Sequence, residues 1–152
     1  KEEISKKGIE IVKTNRGGKV TYHGPGQLMS YFIYDISKIG IKNFVRKLEE
    51  ICINTLKNYD VEAITDKDNP GVWVGKNKIA AIGLNVEKNI TLHGMATNIC
   101  CDLTPYNYII ACGLSDRGIT TLDIETNKKN STKEFRSNFL KNVKNSLNCD
   151  LV

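Results

Sequence analysis

The sequence predicts a single α/β domain, with strand pairs at its centre and a helix at each side. Three observations carry this. Ile41, Phe44, Val45, Leu48, Ile51, Cys52, Thr55, Leu56 and Tyr59 recur at three- and four-residue spacing, the period of one buried helical stripe over residues 41–59. Short runs of β-branched and aromatic residues, broken by Gly-, Asn- and Asp-rich turns, fill the stretch from Val61 to Ile99. Ser131-Thr132-Lys133-Glu134 forms a capping box that opens a second helix, with Phe135, Phe139, Leu140, Val143 and Leu147 on its apolar face.

Each element has a local reason. Ile9-Glu10-Ile11-Val12-Lys13 is a short β-prone run. Lys19-Val20-Thr21-Tyr22 reads as a very short strand between Gly17-Gly18 and Gly24-Pro25-Gly26, two turn signals. The stretch from Leu28 to Ile36 is rich in aromatic and β-branched residues and too short for a helix, which predicts a buried strand. After the first helix, Val61–Ile64 reads as a strand and Asp66–Gly71 as a turn cluster. Val72–Val74 and Lys78–Val86 form a strand pair across Gly75-Lys76-Asn77, and Glu87–Asn89 is a polar turn. Ile90–Ile99 is a strand interrupted at His93-Gly94, and Leu103–Tyr108 is irregular or short-helical around Pro105.

At 152 residues, 40% hydrophobic and 26% charged, the chain has the balance of one globular domain spanning 1–152. No apolar run reaches membrane-spanning length, and the charged start at Lys1 carries no signal-peptide pattern, so a cytoplasmic protein is expected. The chain begins without Met, and a trimmed N-terminus is expected. The formal charge of +5 favours acidic partners. Its lysines are scattered rather than interleaved with aromatics, which argues against nucleic acid. Five cysteines are an odd count, and with two histidines and no C-x-x-C pair they predict neither a disulfide framework nor a metal site.

Chemistry has few places to reside. Arg16-Gly17-Gly18-Lys19-Val20-Thr21-Tyr22-His23-Gly24-Pro25-Gly26-Gln27 holds glycines, basic residues and no acid; it is either a pair of tight turns or a set of backbone N–H groups presented to a carbonyl or anion. Cys112, followed by Gly113 after an apolar run, is a candidate nucleophile beside an amide able to serve an oxyanion. Lys78 opens an apolar strand and by alternation shares a face with Ala80, Ile82 and Leu84. It is a neutral base for a thiol, an ammonium that stabilises a thiolate, or a solvated hairpin-end lysine. His23 and His93 are the other candidate bases, though a histidine in such a position also serves simply to bond a backbone carbonyl.

Four blocks together resemble the lipoyl(octanoyl) transferase family. They are Arg16 to Leu28; Gly71-Val72-Trp73 with Lys78-Ile79-Ala80-Ala81-Ile82-Gly83; Thr91-Leu92-His93-Gly94-Met95-Ala96-Thr97-Asn98; and Cys112-Gly113-Leu114, in the family's order and spacing. The resemblance implies a biotin/lipoate protein ligase-like fold, with a mixed β-sheet and flanking helices. It also implies transfer of an octanoyl group from acyl carrier protein to a lysine on lipoyl domains of 2-oxo acid dehydrogenase E2 subunits and the glycine-cleavage H protein. By the same resemblance Cys112 becomes the acyl-thioester and Lys78 tunes or deprotonates it. Arg16, Gly17, Gly18, Lys19, Val20, Thr21, Tyr22 and His23, with Ala81, Ile82, Gly83, Gly94, Met95 and Ala96, then line the acyl site. No cofactor and no metal are implied, and the sequence has no G-x-x-x-x-G-K-[ST] nucleotide loop. Family members carry further strands and a helix before the Arg16 block, so N-terminal elements of the sheet and pocket are expected to be missing. The rival readings are an ATP-dependent lipoate–protein ligase on the same fold and a non-catalytic carrier-binding module.

Overall fold

A computed structural model describes residue 4, residues 7–109 and residues 117–147. Along the chain come β1 (Gln27–Tyr31), α1 (Gly40–Lys57), β2 (Ile64–Thr65), β3 (Gly71–Val74), β4 (Asn77–Glu87) and β5 (Ile90–Asn98). A 3₁₀ turn (Thr104–Tyr108), β6 (Gly118–Ile119), α2 (Leu122–Thr126) and α3 (Thr132–Leu147) follow. The sheet order is β1-β5-β4-β3-β2, antiparallel throughout, and β6 pairs in parallel with Asn77 and Lys78 of β4. Because β5 pairs with β4 only from Ala80 onward, β6 occupies the flank of β4 beyond the end of β5. The sheet is therefore mixed, as the resemblance implied.

The two long helices form where the stripes predict. Phe44, Leu48, Ile51, Cys52 and Leu56 of α1 and Phe135, Phe139, Val143 and Leu147 of α3 are buried in one core with Leu28, Phe32, Val72, Ala80 and Met95 of the sheet side. Burying each large apolar side chain stabilises the fold by roughly 1.5–3 kcal/mol. The Ser131 hydroxyl accepts from the Glu134 amide at 3.4 Å, as a capping box requires. Lys88 and Asn89 both take positive φ, and form the two-residue turn joining β4 to β5.

Several strand expectations are corrected. Ile9–Lys13 and Lys19–Tyr22 are irregular; neither finds a ladder partner among the described residues. The predicted buried strand from Leu28 to Ile36 is an edge strand over Gln27–Tyr31, followed by a single bridge at Asp35. Its alternate residues face out, with Tyr31 69% and Ile33 78% exposed. Val61 lies outside β2 because its amide returns to the Leu56 carbonyl at the end of α1. The β5 strand is not interrupted: His93 takes φ +63° and still pairs with Leu84.

The correction that matters for chemistry concerns Lys78. Val72 pairs with Ala80 but Trp73 pairs with Lys78, so Ile79 is an extra residue on β4. This bulge resets the alternation. Ala80, Met95 and Thr97 look toward the helices, where the Cys52 sulfur lies 4.0 Å from the Thr97 hydroxyl. Lys78 instead shares the opposite face with Trp73, Ala81, Ala96 and Asn98.

Candidate active site

On that opposite face the glycine-rich stretch runs over β4. The Gly17 amide donates to the Leu84 carbonyl at 2.8 Å, where a strand neighbour would otherwise pair. Approach is this close because Gly17 and Gly83 lack side chains at the crossing. A Cβ on Gly17 would sit 2.9 Å from the Leu84 oxygen, and one on Gly83 would sit 2.9 Å from Arg16 Cδ.

The far end of the stretch is held by one buried amide. Gln27 Nε2 lies within donor distance of the Tyr22 carbonyl at 3.2 Å, Asn98 Oδ1 at 2.9 Å and the Tyr106 hydroxyl at 3.1 Å. Gln27 Oε1 accepts from the Gly24 amide at 3.2 Å and faces His23 Nδ1 at 3.3 Å. The Tyr22 carbonyl thus finds side-chain donors where a strand ladder is predicted for Lys19–Tyr22. Burial is the main influence on His23 and lowers its pKa; the Gln27 bond opposes this, and Arg16 nearby adds to the lowering.

Between stretch and sheet lies a cleft of about 1090 Å³. Every sequence-predicted substrate residue lines it: Arg16 through His23, Ala81, Ile82, Gly83, Gly94, Met95 and Ala96. Lys78 lines it too, at 4% exposure. Its Nζ donates to the Pro70 carbonyl at 3.2 Å and lies 4.6 Å from the Trp73 ring centroid. Gly83, Gly94 and Ala96 line the cleft with backbone and one methyl group, and the space a Cβ would take at Gly83 and Gly94 is filled by Arg16 and by the Ser30 carbonyl.

His93 lies on the cleft as well, with Nε2 2.7 Å from Asn15 Oδ1, a contact that ties β5 to the segment before Arg16. Cys112, with Gly113 and Leu114, lies outside the described residues. Among the described residues the thiols Cys52, Cys100 and Cys101 are free, and burial pushes Cys52 up to about 12 and Cys101 to about 11. Neither is a nucleophile at neutral pH. No group of three or more His, Cys, Asp or Glu side chains among the described residues is placed to hold a metal.

Sequence reasoning missed Gln27, Asn98, Tyr106 and Glu49 as builders of the site. Glu49 sits on the stripe side of α1, where an apolar residue is expected, and its carboxylate accepts the Gly71 amide at 2.8 Å. A charged residue inside a helical apolar stripe was the available signal.

Known folds define the class. Lipoate-protein ligase A bound with ATP superposes with a TM-score of 0.84 at 18% identity, over 99% of this chain and 64% of that one. A bipartite lipoate protein ligase from Thermoplasma acidophilum, studied with its E2 lipoyl domain, gives 0.79 at 20% identity, over 99% and 63%. The biotin protein ligase of Aquifex aeolicus in complex with biotin and ATP gives 0.62 at 18% identity, over 81% and 50%. The fold is that of the lipoate and biotin protein ligases.

The chain belongs to the family described as the lipoyl protein ligase A/B catalytic domain, which matches residues 1–144. Among its relatives, the octanoyltransferase of Dictyoglomus thermophilum is 46% identical over 127 residues, 84% of this chain and 54% of that protein. That of Caldicellulosiruptor saccharolyticus is 50% identical over 127 residues, 81% and 54%. The chain spans about half the length of these curated relatives.

Proposed function

We propose that this domain is an octanoyltransferase of lipoate biosynthesis, acting in the cytoplasm. The donor is octanoyl-acyl carrier protein, and the acceptors are lysines on lipoyl domains of 2-oxo acid dehydrogenase E2 subunits and on glycine-cleavage H protein. The observation that carries this reading is the convergence of Lys78 and the three acyl-site blocks on one cleft, in a chain 46–50% identical to octanoyltransferases.

The chemistry follows in two halves. The Cys112 sulfur attacks the octanoyl thioester carbonyl, a carbon–sulfur bond to Cys112 forms, and the carrier's thiol leaves with a proton relayed through Lys78. The acceptor amine then attacks the Cys112 thioester, an amide forms, and the Cys112 thiol is regenerated. A thioester is already activated, so neither half consumes a nucleotide. Backbone amides near Gly113 and in the glycine stretch serve the oxyanion. Arg16 and Lys19 at the cleft, with the net charge of +5, favour acidic carrier proteins.

The test is direct. The chain is incubated with octanoyl carrier protein in the absence of ATP and weighed intact. An octanoyl adduct that disappears in Cys112→Ser is expected. Absence of the adduct, with transfer appearing only when ATP is added, overturns the reading in favour of a ligase; acceptor binding with no adduct under either condition marks a carrier-binding module.

A further inference from the structure

The Gly71-Val72-Trp73 block is used by neither the acyl wall nor the nucleophile, yet it surrounds Lys78. Trp73 is the cross-strand partner of Lys78 across the Ile79 bulge, and its ring lies 4.6 Å from Nζ. The preceding Pro70 carbonyl accepts from Nζ at 3.2 Å. Gly71 stands at φ +138°, and a Cβ there would lie 3.2 Å from Lys78 Cε, 3.4 Å from Nζ and 2.5 Å from the Ala80 oxygen. A side chain at 71 would displace the amine.

Trp73 is itself fixed. It is 2% exposed, its Nε1–H donates to the Asn69 carbonyl at 3.1 Å, and Arg117, ion-paired to Asp66, lies 4.8 Å over the same ring. A carbonyl lone pair and an aromatic face are both acceptors for an ammonium. We infer that the Pro70–Trp73 segment is a cradle for the Lys78 ammonium, with Trp73 as the positioning residue that fixes where Nζ stands in the cleft. The inference rests on the reading in which Lys78 relays the proton. It adds that the ammonium formed when Lys78 takes the Cys112 proton is held between the Pro70 carbonyl and the Trp73 ring until that proton passes to the leaving thiol.

Trp73 is the only tryptophan in the chain. Global incorporation of mono-, di- and trifluorotryptophan therefore weakens one π face stepwise while preserving ring shape and the bond to Asn69. Two readouts are taken from the same proteins: the rate at which an acetyl N-hydroxysuccinimide ester labels Lys78, resolved by peptide mass, and the kcat and KM for octanoyl transfer. Labelling is expected to rise with each fluorine, by roughly 2- to 30-fold across the series, while kcat falls and KM for the carrier substrate holds. Trp73→Phe, which keeps an aromatic face, is expected to fall within the series and Trp73→Leu beyond its end.

Labelling that stays within about twofold across the series overturns the cradle. Labelling that rises while kcat stays constant overturns the positioning role. If labelling follows the fluorines and none of the proteins forms an octanoyl adduct, the cradle stands and the transferase reading falls.

Discussion

The Gln27 side chain donates to Asn98 Oδ1 at 2.9 Å, and Asn98 in turn donates to the Thr120 carbonyl at 3.0 Å. Two amides thus connect the glycine-rich wall, the end of β5 and the strand beside Lys78. Gln27→Leu is expected to cost roughly 2–4 kcal/mol, because the Gly24 amide, the Tyr22 carbonyl and Asn98 lose a partner in a buried place. Urea unfolding monitored by Trp73 fluorescence measures it; a midpoint unchanged from the parent protein contradicts the network's role.

Gly17→Ala puts a methyl 2.9 Å from the Leu84 oxygen. The wall must lift from β4, at a cost of about 1–3 kcal/mol. Adduct formation is expected to slow by roughly tenfold or more, since small displacements of a positioned substrate have large effects on rate. A pre-steady-state mass assay reads it, with circular dichroism showing that the fold is retained.

His93 tests strain against function. Its φ of +63° disfavours any residue with a Cβ, while its imidazole meets Asn15. Both His93→Ala and His93→Gly lose the Asn15 contact, but only glycine relieves the backbone. The glycine variant is expected to be more stable by about 1 kcal/mol. If the two variants melt together, the left-handed conformation carries no strain. If His93→Ala abolishes acylation while Lys78→Ala does not, the imidazole is the working base instead.

Glu49 separates hydrogen bonding from charge. Burial raises its pKa, opposed by the Gly71 bond and by Arg46 and Lys78 nearby. A raised carboxyl favours folding at low pH and gives up that stability as pH rises through its titration. Glu49→Gln keeps an acceptor for the Gly71 amide and sheds the desolvation, so it should be neutral or stabilising at pH 7. Glu49→Ala orphans the amide and should cost about 1–3 kcal/mol. Thermal melts at pH 5 and pH 7 distinguish the two; equal losses in both variants refute the assignment.

Cys52 gives an alkaline signature. Its native pKa of about 12 stands above the ordinary 9.0. The folded state keeps its proton while the unfolded chain ionises. The thiol's contribution is therefore complete below pH 9 and erodes from pH 9 toward pH 12, by up to about 1.4 kcal/mol per pH unit. Replacing it in Cys52→Ala should flatten the fall in stability above pH 9 relative to the parent; parallel curves refute the shift.

Much of this architecture was legible because its cause is local. The α1 stripe and the Ser131 cap follow from periodicity and a hydroxyl, and both helices form where they predict. The quoted blocks also come together on one cleft, where Gly83 admits Arg16 and Gly17 and Gly94 admits the Ser30 carbonyl. What escaped depends on partners distant in sequence. Lys19–Tyr22 has strand propensity, but its Tyr22 carbonyl is claimed by Gln27 and Tyr106. The two-residue β6 and the one-turn α2 exist by pairing with Lys78 and by the Thr121 cap, too short for periodicity to register. Alternation placed Lys78 on the wrong face, since the bulge is set by β3 rather than by β4's own residues.

That extra residue at Ile79 divides β4 into two lengths with separate frames. The longer one is indexed by the Lys88–Asn89 turn and carries Ala81 and Gly83 against β5. The shorter one is indexed by the turn at Gly75 and carries the amine against Trp73. The Ala81–Gly83 tract and the amine are thus mounted on different hairpins, with the bulge as the joint between them. A change in the β4–β5 turn re-registers β5 against the Ala81–Gly83 tract and leaves the pairing of Lys78 with Trp73 as it is.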